Sequence, residues 1–558
     1  MNRAMLYARS LPALRPVQIL GRLWRVVHKP RPDLSPAPPL RTGLALVPGP
    51  RRTPSLIGQN RVCLLNRERD ISGKDAWNAE DMPKLWLYGL HYHDDLVAAD
   101  APARAHWHDR LIGRWIQENS PGTGNGWEPY PLSVRIVRWV QWSLAGGRLT
   151  PEAQHSLAVQ VRFLRESLEH HLLGNHLFAN AKALIFAGLF FEGDEADAWL
   201  RRGAELATRE LGEQLLPDGG HFERSPMYHC LFLEDLLDLT NLLRGAEEAL
   251  PHRHRALPGA LHSAIAAMRR WLRVMVHPDG EIPFFNDAAH GMASAPDDLE
   301  AYARRLELGP SLSPGDGLVV LADSGYLRLQ AGPAVLLCDV GQLGPRYLAG
   351  HAHADTLSFE ASFFGDRWIV NSGTSLYGES AERLRQRGTA AHNTVEVDGA
   401  DSSEVWSGFR VARRAMPVDL SFGEDAGVLT ARCSHDGYAR LGGKLRHSRD
   451  WRLDAGSLSI VDRLEGHHDT ARAALHLHPS VHAGREPVDS HATSGERHAS
   501  CSGSVALRRG PLGVALEVEG GRLICEDSTW HPEFGRTLPN SCLRTTLDGH
   551  NLHTRLRW

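Results

Sequence analysis

Near residues 309–317 the apolar residues of this 558-residue chain change their spacing, and this change constrains the fold more than any other feature. Before it, apolar residues recur every three or four positions, which places them on one face of a helix. The clearest helical runs are Leu157, Val161, Leu164 and Leu168; Phe232, Leu236, Leu239 and Leu243; and Leu261, Ile265, Met268 and Leu272. After it, apolar residues alternate, which is the period of a β-strand. The clearest alternating runs lie at residues 326–329, 458–464 and 514–518.

A long helical half followed by a long strand half predicts two segregated architectures and not a βαβ fold. Successive amphipathic helices joined by loops with Gly and Pro are typical of a helical bundle, solenoid or toroid. The alternating half fits a large antiparallel β-sandwich. We therefore predict an α+β multidomain fold with three segments. These are a basic, proline-rich segment at 1–85 that packs on the helical domain, the helical domain at 86–315, and the β-sandwich at 316–558.

Charge and hydropathy exclude several classes of protein. The net charge of −4 gives the chain as a whole no attraction to nucleic acid or to anionic membranes. No stretch reaches the roughly 18 apolar residues that a transmembrane helix needs, so none is expected. Arg9 and Arg15 interrupt the apolar N-terminus, so we expect no secretion signal and a cytoplasmic location, with the periplasm left open. The N-terminus could instead form a basic amphipathic helix, which we expect to pack on its own domain sooner than on a membrane.

Two polar clusters lie in the helical half. Asn175 and His176 precede the apolar run LFANAKALIFAGLFF, where an Asn is ordinarily an N-cap. An amide and an imidazole at a helix start also suit an anionic group. The second cluster, within DGGHFERSPMYH, contains Glu223, Arg224, Tyr228 and His229. Such a density of ionisable groups indicates a site at least as strongly as it indicates a surface turn.

A third cluster, GHAHADTLSF, opens the β half. His351 and His353 are two residues apart, so on a strand they would face the same side. With His392, they could bind a metal or divide between metal binding and proton transfer. Solvated histidines at the end of a strand are the alternative.

The fourth cluster, Trp127 and Tyr130 in WEPY, is followed by arginines. Aromatic rings beside arginines can stack on sugars while the guanidinium groups pair with carboxylates. Core packing within a helical bundle is the alternative explanation for the tryptophans here.

Taken in order, these clusters resemble the heparinase II/III-like polysaccharide lyases. The resemblance runs from about Trp86 to the final strands. The motifs that carry it are WEPYPLSVRIVRW, GNHLFANAKAL, DGGHFERSPMYH, GHAHADTLSFE, VNSGTSLYG, RLRQRGTAAHNTVEVDGADSSEVWSGFRV and LHLHP. It implies an N-terminal (α/α) toroid, a C-terminal antiparallel β-sandwich, and an active site in the groove between them.

The resemblance also implies an activity: cleavage of an acidic, uronate-containing polysaccharide, such as a glycosaminoglycan or a bacterial exo- or capsular polysaccharide, by β-elimination. This reaction removes the proton on C5 of the uronate and expels the oxygen on C4, which leaves a 4,5-unsaturated uronate. A donor must neutralise the carboxylate, and a base and an acid must act at C5 and at the C4 oxygen.

By this resemblance Asn175 and His176 are the donors, and Tyr228 and His351 act as base and acid. Tyr228 could take both roles in turn if the two groups leave from one face of the sugar, while His351 would be the base if they lie on opposite faces. A free tyrosine has a pKa of about 10, so a tyrosine base would need a cationic neighbour, for which Arg224, His229 or a metal are candidates. The implied substrate contacts are Trp127, Tyr130, Glu223, Arg224, His229 and Arg387.

Some members of the family hold a structural divalent metal, and the matching residues here are His353, Asn371 and His392. Zinc and calcium are the candidate ions. Asn371 stands where the family has an aspartate, and an amide is a poorer zinc ligand than a carboxylate. No organic cofactor is implied, and the oligomeric state is not indicated.

Two other functions remain open at this stage. A glycoside hydrolase would need two carboxyl groups about 6.5–9.5 Å apart if it inverts, and Asp218, Glu223 and Asp287 are available. A glycan-binding or assembly protein of polysaccharide biosynthesis would need no base, so the presence of Asn175, Tyr228 and His351 favours an enzyme.

Overall fold

The structure is a computed structural model that describes residues 3–442, 444–484, 500–501 and 503–558. The α-helices of the described chain precede residue 306, apart from α12. They are α1 (Arg3–Ser10), α2 (Pro16–Val27), α3 (Lys84–Tyr92), α4 (Ala105–Glu118), α5 (Pro129–Leu144), α6 (Pro151–Glu166), α7 (Gly174–Phe190), α8 (Asp194–Gln214), α9 (Pro226–Leu243), α10 (Leu257–Met275), α11 (Pro296–Arg305) and α12 (Ala381–Arg387).

Helix α7 is the most deeply buried element of the helical domain. Its sequence GNHLFANAKALIFAGLF is apolar on nearly all sides, and it packs against α5, α8 and α9. A helix that is apolar all round must be enclosed by other elements, so the remaining helices surround it. The predicted runs at residues 232–243 and 261–272 are the buried faces of α9 and α10. The run at residues 157–168 forms the buried face of α6, which ends at Glu166, before Leu168.

The strands begin with a small sheet, β1 (Leu56–Gly58), β2 (Arg61–Leu64) and β3 (Arg67–Asp70). The remaining strands follow residue 316. They are β4 (Gly317–Leu321), β5 (Tyr326–Ala331), β6 (Ala334–Asp339), β7 (Phe359–Phe363), β8 (Asp366–Ile369), β9 (Val395–Val397), β10 (Val405–Trp406), β11 (Arg410–Val411), β12 (Pro417–Asp425), β13 (Val428–His435), β14 (Arg446–Leu453), β15 (Ser457–Glu465), β16 (Ala471–His476), β17 (His482–Gly484), β18 (Ser500–Cys501), β19 (Ser504–Arg509), β20 (Leu512–Glu519), β21 (Gly521–Trp530), β22 (Leu538–Leu547) and β23 (Asn551–Arg557).

The β domain is built from antiparallel sheets. The largest has the strand order β12-β13-β14-β15-β23-β20-β19-β17, and two five-stranded sheets have the orders β4-β5-β6-β7-β8 and β18-β21-β22-β16-β9. Their inner faces share one apolar core that includes Leu336, Trp451 and Leu516. The predicted alternating runs lie in β5, β15 and β20. The predicted fold class, a helical toroid followed by an antiparallel β-sandwich, is confirmed.

The N-terminal segment has several parts. Residues 28–54 contain no helix or extended sheet and run along the toroid, where Leu40 pairs with Phe191 and Arg41 donates to the carbonyl of Leu189 at 2.9 Å. Strands β1 to β3 contribute Leu56 and Val62 to the core of the helical domain. Among the described helices, none is both long and apolar enough to cross a bilayer.

Contacts between the helical and β domains are polar as well as apolar. Arg328 on β5 donates to the carbonyls of Val274 and Val276 at the end of α10. The indole of Trp271 donates to Ser324 Oγ at 2.8 Å. These contacts fix the two domains against each other, so side chains from both can form one site.

Candidate active site

Tyr228 is positioned by the cap of its helix. Ser225 is the N-cap of α9, and its hydroxyl oxygen accepts from the Tyr228 backbone N–H at 3.2 Å and donates to the Asp287 carbonyl at 2.5 Å. Pro226 follows at the first helical position, where its missing N–H costs nothing. The cap therefore fixes Tyr228 in the first turn of α9, at the boundary with the β domain.

The ring of Tyr228 stacks on the imidazole of His351, with the centroids 3.9 Å apart and the planes 17° apart. The Tyr228 hydroxyl lies 3.1 Å from the hydroxyl of Tyr377. His351 belongs to the loop between β6 and β7, so the prediction that it and His353 share one face of a strand is wrong. The two imidazoles contact different partners.

Glu223 holds His351 in place. Its Oε2 lies 2.5 Å from His351 Nδ1, and the carboxylate is buried. Burial alone would raise the pKa of Glu223, but the charge and hydrogen bond of His351 hold that pKa below its ordinary value. When His351 is neutral, an ionised Glu223 favours the tautomer with the proton on Nδ1, which leaves the lone pair of Nε2 free. Glu223 was predicted to bind substrate, and the structure instead places it behind His351.

Asn175 is not the N-cap of α7. The helix begins at Gly174, and both Leu173 and Gly174 have positive φ, 67° and 57°. A Cβ atom at Gly174 would lie 2.5 Å from Leu348 Cδ2 and 3.2 Å from Glu223 Oε1. Glycine suits this position, because it adopts a positive φ without strain and leaves room for the Leu348 side chain. The tight turn therefore brings the start of α7, with Asn175, next to Glu223 and the loop that carries His351.

His176 forms an ion pair with a buried carboxylate. Its Nδ1 lies 3.0 Å from Glu169 Oε1. Burial alone would lower the pKa of His176, but Glu169 outweighs burial and raises that pKa above its ordinary value. The ring of Tyr130 lies 4.5 Å from that of His176, and the Asn175 side chain acts on the Tyr130 hydroxyl, where it opposes the burial that raises the pKa of Tyr130. Tyr130, Asn175 and His176 thus form one partly exposed group.

Tyr228 lacks the cationic neighbours that were predicted for it. Burial first, and then Tyr377, Asp287 and Glu223, raise its pKa well above 10. His229 is buried against Trp271, donates to the Met268 carbonyl at 3.0 Å, and has a pKa lowered by burial to about 3. It is neutral and inaccessible, so its predicted substrate contact is wrong.

Arg224 joins the two domains. Its guanidinium donates to the backbone carbonyls of Gln342 and Asp323, and its own carbonyl accepts from the hydroxyl of Tyr326 at 2.6 Å. The guanidinium is therefore occupied by backbone oxygens, which corrects its predicted roles in binding substrate and in activating Tyr228.

Two further predicted substrate contacts are also wrong. Trp127 is 4% exposed and packs between Trp115 and Phe163. Arg387 is fully buried on α12 and donates to the Ala352 carbonyl at 2.8 Å. Arg387 therefore holds the loop beside His351 and cannot touch a polysaccharide.

A segment that the sequence motifs did not identify connects these parts. The Asp287 N–H donates to the His351 carbonyl at 2.9 Å, while its own carbonyl accepts from Ser225. The Asp287 carboxylate forms a two-point ion pair with Arg383 on α12, and both side chains are fully buried. Burial alone would raise the pKa of Asp287, but Arg383 and His353 hold it well below its ordinary value. Asp287 is thus a positioning residue for both Tyr228 and His351.

The predicted metal ligands do not fit a metal ion. His353 uses both ring nitrogens, Nδ1 at 3.2 Å from His392 Nε2 and Nε2 at 2.8 Å from Asp287 Oδ1. The amide oxygen of Asn371 accepts from the backbone N–H of Asn393 at 3.1 Å. The described residues contain no group of three His, Cys, Asp or Glu side chains arranged around a common point. Arg383 already supplies the positive charge that a cation would bring to Asp287.

Other residues of the site were also missed. Tyr377 lies in the motif VNSGTSLYG, which was singled out as a unit without a role for its tyrosine. Glu169 lies seven residues before His176, and its position in the sequence gave no signal for their ion pair. The three carboxylates considered for a hydrolase have other partners: Asp218 accepts from Ser324, Glu223 pairs with His351, and Asp287 pairs with Arg383.

Two family models match most of the chain. The model described as "Heparinase II/III N-terminus" matches residues 144–306, and "Heparinase II/III-like, C-terminal" matches residues 313–558. The chain is 26% identical over 444 residues to FtsZ-localized protein C of Caulobacter vibrioides, which covers 73% of this chain and 72% of that protein. It is 27% identical over 317 residues to a heparin-sulfate lyase of Bacteroides stercoris, which covers 50% of this chain and 45% of that protein, less than half its length.

Solved structures show the same fold. Heparinase III superimposes with a TM-score of 0.68 at 18% identity, over 88% of this chain and 80% of that chain. A heparan sulfate lyase of Pedobacter heparinus superimposes with a TM-score of 0.57 at 15% identity, over 97% of this chain and 87% of that chain.

Proposed function

Because the chain belongs to the heparinase II/III-like family, we propose that it is a polysaccharide lyase that cleaves an acidic, uronate-containing polysaccharide by β-elimination. One observation carries the proposal: His351, whose Nδ1 is bound by buried Glu223, stacks on Tyr228. This arrangement places a candidate base and a candidate acid side by side, and elimination needs both.

The substrate carboxylate would be bound by the group around α7. The Asn175 amide and the protonated His176 would face the carboxylate, at a helix start where free N–H groups and the helix dipole favour an anion. Loss of the C5 proton places further negative charge on that carboxylate, so donors aimed at it stabilise the transition state more than the ground state.

The base and the acid divide the proton transfers. Nε2 of His351 takes the C5 proton, and the electrons of the C5–H bond form the C4–C5 double bond as the bond from C4 to the glycosidic oxygen breaks. Tyr228, which the surrounding burial and negative charge keep protonated, gives its proton to the leaving oxygen. The Tyr377 hydroxyl, 3.1 Å away, can return a proton to Tyr228 from solvent. His351 then releases the C5 proton to water.

The test is to incubate the full-length protein with a panel of uronate polysaccharides and to record both ultraviolet absorbance and new reducing ends. Elimination leaves a double bond conjugated with the carboxylate, so both signals are expected to rise together. Reducing ends without absorbance would establish a hydrolase instead. Binding of a polysaccharide without either signal would establish a non-catalytic role.

The His176–Glu169 pair leads to a prediction about pH. Because the pKa of His176 is raised, its positive charge persists to a higher pH than that of a free histidine, and KM should increase as pH rises through that pKa. Replacing Glu169 by Gln removes the carboxylate and should move this increase to lower pH, because only Glu223 would then oppose the effect of burial, which lowers the pKa of His176.

The measurement is KM and kcat from roughly pH 5.5 to 9, the range in which a histidine titrates. Glu152→Gln, an exposed carboxylate on α6, is the matched control and should leave the profile unchanged. A profile that is the same in the wild type and in Glu169→Gln would contradict the role of His176 as a cation.

A further inference from the structure

Helix α2 presents its polar side to the protein. The amide of Gln18, which is 2% exposed, donates to the Tyr347 carbonyl at 3.2 Å. A Cβ atom on Gly21 would lie 3.0 Å from the Cβ of His171, so the helix backbone is in contact with the toroid there. Arg25 lies on the same side, with its Nη1 2.7 Å from His171 Nε2. A surface helix normally shows the opposite orientation, with its polar side in water.

The apolar side of α2 is exposed to solvent. At 3.6 residues per turn, its apolar residues fall within about half of the helix circumference. They are Val17 (41% exposed), Ile19 (44%), Leu20 (64%), Leu23 (61%), Trp24 (60%), Val26 (72%) and Val27 (77%). With Met5, Tyr7 and Leu11, residues 5–27 hold ten of the 21 exposed large apolar side chains in the described part of the chain. Such a concentration marks an interaction surface.

The charge around this surface identifies the kind of partner. The first 32 residues contain six arginines, one lysine and no Asp or Glu. Arg3, Arg9 and Arg15 pair with glutamates of the folded domains. In the described part of the chain, Arg22, Lys29 and Arg31 have no ion-pair partner. An apolar helix face bordered by unpaired cations complements a bilayer of anionic lipids, because the headgroups are negatively charged and the acyl chains below them are apolar.

We propose that α2 docks the protein on an anionic membrane surface, with Leu20, Leu23 and Trp24 inserted at the boundary between headgroups and acyl chains. The helix has 12 residues, too few to span a bilayer, so it lies in the plane of the interface. Trp24 suits this depth, since its ring is apolar and its N–H is polar.

Docking would also orient the candidate active site. The Tyr347 carbonyl that binds Gln18 is four residues before His351, and His171 is four residues before Asn175. The docked helix therefore contacts the two segments that lead to His351 and Asn175. This one consequence rests on the proposed lyase function: the substrate would be an acidic polysaccharide displayed at a membrane.

The test is co-sedimentation of the full-length protein with large unilamellar vesicles, made either of phosphatidylcholine alone or of equal parts phosphatidylcholine and phosphatidylglycerol. The wild type is expected to bind the anionic vesicles at least ~10-fold more strongly than the neutral ones, and added salt should weaken that binding. The triple variant Leu20→Gln/Leu23→Gln/Trp24→Gln should lose at least ~10-fold of it. All three side chains are exposed, so folding should be retained, which circular dichroism and thermal unfolding check.

The matched control is Leu420→Gln/Phe422→Gln, which removes exposed apolar side chains from β12 in the β domain and should bind vesicles as the wild type does. Equal binding by the wild type and the α2 variant, or no binding of either vesicle, would overturn the proposal. So would sedimentation velocity that shows a dimer which the α2 variant abolishes, because a second copy would then cover the helix. None of these readouts depends on lyase activity.

Discussion

Replacing Tyr228 by phenylalanine is expected to lower kcat by about 10³-fold and to leave the dissociation constant for polysaccharide within about threefold of the wild type, since a positioned acid contributes 10² to 10⁴ in rate. The hydroxyl is the only group removed. The Ser225 cap and the stacking on His351 both involve other atoms of Tyr228, so His351 should keep its position in the variant.

The expected fall in kcat follows from the protonation state of the Tyr228 hydroxyl. Because burial and the neighbouring Tyr377, Asp287 and Glu223 raise the pKa of Tyr228 well above 10, the group holds its proton at neutral pH. It is thus suited to protonate the leaving oxygen and not to remove the C5 proton. Single-turnover absorbance, combined with calorimetric binding of an uncleaved uronate oligosaccharide, separates the rate from the affinity.

Tyr377→Phe is the matched control, because it removes a hydroxyl 3.1 Å from that of Tyr228 without removing the proposed acid. Its kcat is expected to fall by only about 10-fold, less than the 10² to 10⁴ that a positioned acid contributes, because Tyr377 returns a proton to Tyr228 and does not itself protonate the leaving oxygen. If the two variants lose activity equally, the assignment of Tyr228 as the acid is wrong. If Tyr228→Phe keeps its full rate, the site works by another mechanism.

The sequence predicted the fold well, because the fold depends on patterns that repeat locally. The helical runs in α6, α9 and α10, and the alternating runs in β5, β15 and β20, are set by which face of each element is buried. The order of these halves was enough to separate the toroid from the β-sandwich.

Part of the candidate site could also be predicted. The motifs identified Asn175, His176, Tyr228 and His351; the structure stacks Tyr228 on His351 and places the start of α7, at Gly174, against Leu348 and Glu223. Their proximity could not be derived from spacing, because up to 176 positions separate these residues along the chain. It followed from the family resemblance alone.

The wrong predictions have a common physical cause. Trp127, His229 and Arg387 lie in the right motifs, but their side chains point into the core. Within a short polar motif, the direction of each side chain is decided by what packs against the helix or loop, and no local pattern records it. The same applies to Glu223, which was expected to contact substrate but binds His351 from behind.

The ion pair between Asp287 and Arg383 could not be predicted from the sequence, for a related reason. The two residues are 96 positions apart; Arg383 opens the motif RLRQRG and Asp287 was considered only as a hydrolase carboxylate, and neither context indicates the other residue as its partner. Asp287 nevertheless connects the cap of α9 to the loop of His351. The pair therefore carries both stability and the geometry of the site.

Replacing Arg383 by methionine is expected to lower the free energy of unfolding by about 3–5 kcal/mol, because it leaves the buried carboxylate of Asp287 without its guanidinium partner. Both side chains are fully buried, so water cannot compensate for the loss. His353 and Thr374 would remain as the hydrogen-bond donors to the Asp287 carboxylate. Urea unfolding followed by circular dichroism measures the change, and Arg385→Met, which removes an exposed guanidinium on the same helix, should cost about 1 kcal/mol or less.

The pH dependence separates this cause from simple loss of packing. In the wild type the folded-state pKa of Asp287 is depressed, so its contribution is present above the unfolded pKa of about 3.9 and is lost only as pH falls through the folded value. Without Arg383, burial should raise the folded pKa, and the carboxyl can then escape the penalty by binding a proton. The deficit of Arg383→Met should therefore be larger at pH 8 than at pH 5, and Arg383→Met/Asp287→Asn should recover part of it. A deficit that is constant with pH and unchanged in the double variant would show that the guanidinium stabilises the fold through packing and not through its charge.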